Sequence, residues 1–98
     1  MKRVAFHVEA DIEVTEAARY YETKAPGLGS SFLLDIENAL EQIRVNPEAF
    51  QLIADHVRRK LLRRFPYSIL YAIEPDRIRV LAVAHHRRRP GYWLHRVG

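Results

Sequence analysis

The chain opens on a short apolar, partly β-branched run, residues 3–8 (RVAFHV), which predicts a strand. The period then changes. Ala10, Val14, Ala17, Ala18 and Tyr21 recur at helical spacing, while Glu13, Glu16, Arg19 and Glu22 lie off that stripe. The pattern predicts a helix from about Asp11 to Lys24, ended by Pro26-Gly27. A second stripe, Phe32, Leu33, Ile36, Leu40 and Ile43, predicts a helix entered through Leu28-Gly29-Ser30, with a serine as N-cap. Asp35, Glu37, Glu41 and Gln42 form its expected wet face, and Asn46-Pro47 stops it. The short turn between the helices predicts an antiparallel hairpin.

From Phe50 the pattern becomes strand-like. Val57, Leu61 and Phe65 alternate with Arg58, Lys60 and Arg64, predicting one strand with a basic strip on one face. Tyr67, Ile69, Tyr71 and Ile73 share a face of the next strand, with Leu70 and Ala72 opposite. Glu74-Pro75-Asp76-Arg77 signals a turn. In the last strand Ile78, Val80, Ala82 and Ala84 are expected to face one way, Leu81 and Val83 the other. These last two strands are apolar on both faces. They should be central, with helices on one side and something else, such as a partner chain, on the other. The basic, aromatic tail, residues 87–98, has room for one helical turn after Pro90. The order β-α-α-β-β-β predicts an α+β domain over residues 1–98, a helical hairpin on a mostly antiparallel four-stranded sheet.

Charge changes this picture. Residues 1–55 hold 5 Lys/Arg and 10 Asp/Glu, whereas residues 56–98 hold 11 and 2. So positive a half-chain suits a polyanionic or acidic partner. The absence of cysteine excludes disulfides, thiolate zinc sites and a cysteine nucleophile. No apolar run is long enough to cross a membrane, and the polar start lacks a signal-peptide core, so a cytoplasmic protein is expected. His7, His56, His85, His86 and His95 show no ligand spacing, and neither a metal nor a cofactor is expected.

Several runs resemble the RelE/ParE toxins, in particular the ParE-like, plasmid-stabilisation branch. They are residues 17–22 (AARYYE), Gly27-Leu28-Gly29 followed by Phe32, Asn46-Pro47 followed by Phe50, Val57-Arg58-Arg59, residues 63–67 (RRFPY) with Tyr71, and Val83-Ala84-His85 followed by Arg87–Arg89. Together they span nearly the whole chain. The resemblance implies a growth-inhibiting toxin silenced by a cognate antitoxin, expected here to be acidic and amphipathic and to wrap the hairpin and the sheet edge. It also implies one of two targets. One branch blocks DNA gyrase and has no active site; the other cleaves messenger RNA on the ribosome.

Metal-free RNA cleavage needs a base, an acid and cations for the charge that builds on phosphate. Nuclease relatives often carry an arginine just after the tyrosine that opens the third strand, and here Ser68 follows Tyr67. That departure favours the gyrase branch. If the chain were a nuclease, Lys60, Arg64, His85 and Arg88 would be its candidate groups, although adjacent His85 and His86 should point to opposite faces. The candidate target- or antitoxin-binding residues are Arg58, Lys60, Arg64, Arg87, Arg88, Arg89, Tyr92 and Trp93. The alternatives to function are an edge strand guarded by charge, and a Trp93 that folds back over the open sheet face. A third reading is a remnant that binds antitoxin without being toxic.

Overall fold

The computed structural model describes residues 2–97. Strand β1 (Arg3–Phe6) leads directly into helix α1 (Val8–Lys24). The helix starts about three residues before the expected point, because the Nδ1 of His7 accepts the backbone N–H of Glu9 at 3.1 Å and caps it. Helix α2 (Leu28–Val45) follows after a tight turn. Its cap is not a serine. Gly27 occupies the N-cap in a left-handed conformation (φ 84°) and has no side chain to offer. Glu22, reaching over from α1, accepts the N–H groups of Gly27 and Gly29 instead, each at 3.0 Å. These backbone donors hold the Glu22 carboxyl below its usual range. At Gly29 the helices pass so closely that a Cβ would sit 2.6 Å from the carbonyl oxygen of Ala18.

The sheet has five strands rather than four, in the order β1-β5-β4-β3-β2. The single strand expected after Phe50 is a hairpin, β2 (Gln51–Ala54) and β3 (Val57–Leu61), which turns at Asp55-His56. His56 takes a positive φ of 62° there, a conformation usually left to glycine or asparagine. Strands β4 (Tyr67–Ile73) and β5 (Arg77–His85) are central. β1 pairs parallel to β5 and every other pairing is antiparallel.

The main core lies between the hairpin and one sheet face. Phe32, Ile36 and Ile43 of α2 meet Ile69, Tyr71, Ile78 and Val80. The alternation expected along β4 holds: Ile69 and Tyr71 face the helices and Leu70 faces away. Along β5 it breaks. A register shift opposite Leu70/Tyr71 puts Leu81 and Ala82 together in the second core, while Val83 returns to the helix side. A bulge of this kind inserts one residue and reverses the facing of those beyond it.

The far sheet face is covered by the chain itself. Trp93, 6% exposed, packs on Val57, Leu70, Leu81 and Ala82, and a short 3-10 turn (Leu94–Arg96) follows. Gly98, at the end of the tail, lies outside the described residues. The tail also repairs an unpaired stretch of backbone. β1 reaches only as far as Val80 on β5, so the edge beyond it has no strand neighbour. There the N–H of Val83 donates to Glu13 of α1 at 2.9 Å, and the carbonyl of Leu81 accepts from Arg96 at 3.1 Å. Side chains complete what the sheet leaves open, as buried backbone groups require.

Candidate partner-binding site

The basic residues fall on two sides of the sheet. Val57 is buried in the far-face core, so by strand alternation Arg58 and Lys60 point to the helix side and Arg59 to the far side. The predicted strip of Arg58, Lys60 and Arg64 is not formed, because β3 ends at Leu61. Leu61 is half-exposed, and Leu62 enters the core in its place. Arg64 sits in the following loop. That loop is fixed by Asp35, whose carboxylate accepts the N–H groups of Arg63 and Arg64 at 3.3 and 2.8 Å. Asp35 is therefore a buried anchor rather than a member of the wet face.

Arg58 is occupied internally. Its guanidinium donates to the carbonyls of Glu48 and Phe50, at 3.1 and 2.8 Å, and the hydroxyl of Tyr71 donates to the carbonyl of Pro47 at 2.6 Å. Together they pin the loop entering β2. Burial pushes the Tyr71 hydroxyl up to about 12. Lys60 rests over the Phe50 ring, 4.8 Å from its centroid. Lys60 and Arg64 do share a groove of about 770 Å3, between α2 and the end of β3, whose other wall carries Leu34, Asn38 and Glu41.

The second site is a cleft of about 550 Å3 on the far face. Arg59 enters it from β3, Ser68 from β4, and His86, Arg88 and Arg89 from the turn after β5. Its apolar surface includes Leu70, Ala84, Trp93 and the exposed Ile53, Leu61 and Leu94. Among the described residues no Asp or Glu lines it. The Oγ of Ser68 and the Nε2 of His86 are hydrogen-bonded at 3.1 Å, and Arg59 donates to Gln51 at 2.7 Å. Arg88 lies 3.8 Å from the Tyr92 ring centroid.

His85 points to the helix side, as expected of neighbours on a strand. Its ring meets Tyr67 edge-on at 5.0 Å, and its Nδ1 accepts the N–H of Arg87. The side chains of Arg87, Arg88 and Arg89 are all exposed. Tyr92 is tied to Glu13 through a 2.7 Å hydrogen bond, and burial, then that bond, raises its hydroxyl far above the ordinary value. Trp93 is a core residue and offers no ring to a partner.

Of the nuclease candidates, Lys60 and Arg64 share the helix-side groove, whereas His85 and Arg88 lie together beyond β5. His85 and Arg88 also line the far-face cleft, together with Ser68, His86 and Arg59, of which Arg59 alone had no role in the sequence analysis beyond its place in the Val57-Arg58-Arg59 run. One sign was available: Arg59 falls in register with Val57 and Leu61. Among the described residues no cluster of three His, Cys, Asp or Glu is placed to hold a metal ion. Among the described residues no helix is long and apolar enough to cross a membrane.

A helical hairpin packed on a five-stranded, mostly antiparallel sheet defines a small α+β domain. The family model for ParE toxins of type II toxin–antitoxin systems (parDE) matches residues 4–90, and the chain belongs to that family. Among solved structures it is similar to a chain of the chromosomal ParDE toxin–antitoxin system from P. aeruginosa. The TM-score is 0.65 at 18% identity, covering 87% of this chain and 96% of that one. No curated protein matches it.

Proposed function

We propose that this ParE-type toxin arrests growth by binding DNA gyrase, with no active site of its own, and is neutralised by a cognate acidic antitoxin. The observation that supports the gyrase reading is Ser68. It stands on the buried strand next to the arginine-rich turn, where nuclease relatives often place a cation, and its hydroxyl is engaged by His86. Ser68 itself supplies no charge to a phosphate undergoing cleavage. The split of Lys60 and Arg64 from His85 and Arg88 supports the same reading. Ribosome-dependent cleavage of message is the alternative, drawing on His86, Arg59 and Arg88 in one cleft.

Both targets lie in the cytoplasm, where we place the protein. Its partner is expected to be acidic because the exposed cations concentrate in the second half of the chain. Inducible expression in a bacterium without the antitoxin tests the proposal. Early induction of a DNA-damage reporter with intact message supports gyrase. Cut message before any damage signal supports the ribosome. Unimpaired growth at full expression marks a remnant that has lost toxicity.

A further inference from the structure

Residues 87–97 are fastened to the fold at two buried points, Trp93 and Arg96, and every residue from Arg87 to Pro90 is exposed. Among the described residues the backbone of this segment makes no hydrogen bond to the sheet beyond His85. The N–H groups of Arg88, Tyr92, Leu94, Arg96 and Val97 donate to carbonyls of His85 or of the segment itself. The two fasteners differ in kind. Trp93 is an apolar plug on Val57, Leu70, Leu81 and Ala82. Arg96 is held by carboxylates of α1: Glu13 at 2.9 and 3.1 Å, and Glu9, 3.3 Å from its Nε. Tyr92 and His95 end on the same two carboxylates. A buried ion pair returns in attraction roughly what its desolvation costs, so it fixes the segment's position and adds little net stability. One indole then carries most of the closure, whereas the main core is built from both helices and both central strands. A segment with so few buried apolar contacts opens at a lower free energy than the core.

We infer that residues 87–97 form a strap that opens as a unit while the helical hairpin and the sheet stay folded. The exposed Arg87–Pro90 run is its hinge. Arg88, Arg89 and Leu94 of the strap make one wall of the far-face cleft, and Arg59, Ser68 and Leu70 of the sheet make the other. Closure forms the cleft and opening dismantles it. Glu9 and Glu13, which lie outside the cleft, thereby control whether it exists. The inference goes beyond the toxin reading and holds whether or not gyrase is the target.

The chain has no cysteine, so an introduced thiol reports on its own site. In the full chain, Val57→Cys places one beneath Trp93 and Val80→Cys places one in the main core; the parent residues are 1% and 0% exposed. Ala82→Cys, also beneath Trp93, is a second strap probe, and a thermal melt of each variant shows that the fold is retained. The rate at which a soluble disulfide reagent modifies each thiol is followed in rising urea. The Val57→Cys thiol should react at least about tenfold faster than the Val80→Cys thiol without urea. Its rate should also rise less steeply with urea, because strap opening exposes less surface than unfolding. Adding Tyr71→Phe, which loosens the loop before β2 and leaves the strap alone, should speed the Val80→Cys reaction about fivefold and leave the Val57→Cys reaction unaltered. Adding Glu13→Gln should speed the Val57→Cys reaction about a hundredfold. Equal rates with the same urea dependence at both thiols, an equal response of both to Tyr71→Phe, or a Val57→Cys rate that ignores Glu13→Gln would each overturn the inference.

Discussion

Glu13 and Arg96 stand 83 positions apart in sequence and meet in two hydrogen bonds of 2.9 and 3.1 Å. Both are largely withdrawn from water, the Arg96 side chain being 5% exposed and that of Glu13 13%. The pair joins the first helix to the last turn and seals the part of β5 that β1 does not reach. Burial acts to lower the Arg96 pKa, but the Glu13 hydrogen bond and charge outweigh it and the net shift is upward.

Removing one partner should cost more than removing both. Glu13→Gln leaves the buried guanidinium with Glu9 alone as counter-charge, a more exposed carboxylate 3.3 Å from its Nε, and a loss of about 3 kcal/mol is expected. Arg96→Met with Glu13→Gln should recover part of it. Urea denaturation of the two single variants and the double variant measures the coupling; additive losses would show that the pair does not act as a unit.

The hairpin carries its own signature in pH. The folded-state pKa of Glu22 is depressed, so its contribution is present above the unfolded value and is lost as pH falls through the folded one. Glu9 behaves alike, held down chiefly by its hydrogen bond from His95. The thermal midpoint should therefore fall as pH is lowered through the carboxylate range. Glu22→Gln should flatten that fall, and melts from pH 7 downward on both proteins check it.

Gly29→Ala tests the helix crossing. The added methyl would meet a backbone oxygen, which cannot step aside as a flexible side chain does, and about 1–3 kcal/mol should be lost. Gly27→Ala meets nothing within 4 Å, so it carries only the cost of its positive φ, about 1 kcal/mol. Chemical denaturation of the two variants separates contact from conformation, and equal losses would contradict the distinction.

Tyr71→Phe removes the hydroxyl that holds Pro47. The expected loss is about 1 kcal/mol, the size of one hydrogen bond. Because the ring stays packed, the change should appear as faster amide exchange in residues 46–50 rather than as a repacked core. Unchanged exchange there would show that Arg58 anchors the loop alone.

Where a sequence signal had a local cause, it was readable. The two helices and β4 follow directly from periods of 3.6 and 2. The failures have specific origins. The β2–β3 turn uses His56 in a left-handed conformation, without the Asn-Gly or Gly signal that normally reveals a hairpin. The bulge at Leu81 reverses alternation within a run of uniformly apolar residues, so composition gives no sign of it. Asp35 sits among polar neighbours on its helix, yet its partners are backbone groups 28 and 29 positions later. The candidate site was half-visible for the same reason. Arg88 and Arg89 do line the cleft, but Arg59 was hidden beside the more conspicuous Arg58 and Lys60, and Trp93 went to the core.

Purified chain, added in molar excess to purified gyrase and relaxed plasmid, should inhibit supercoiling, and added ribosomes charged with message should leave that message uncut. Supercoiling that proceeds unchanged at large excess, together with cleavage of ribosome-bound message, would contradict the account and move its chemistry to the cleft of Arg59, Ser68 and His86.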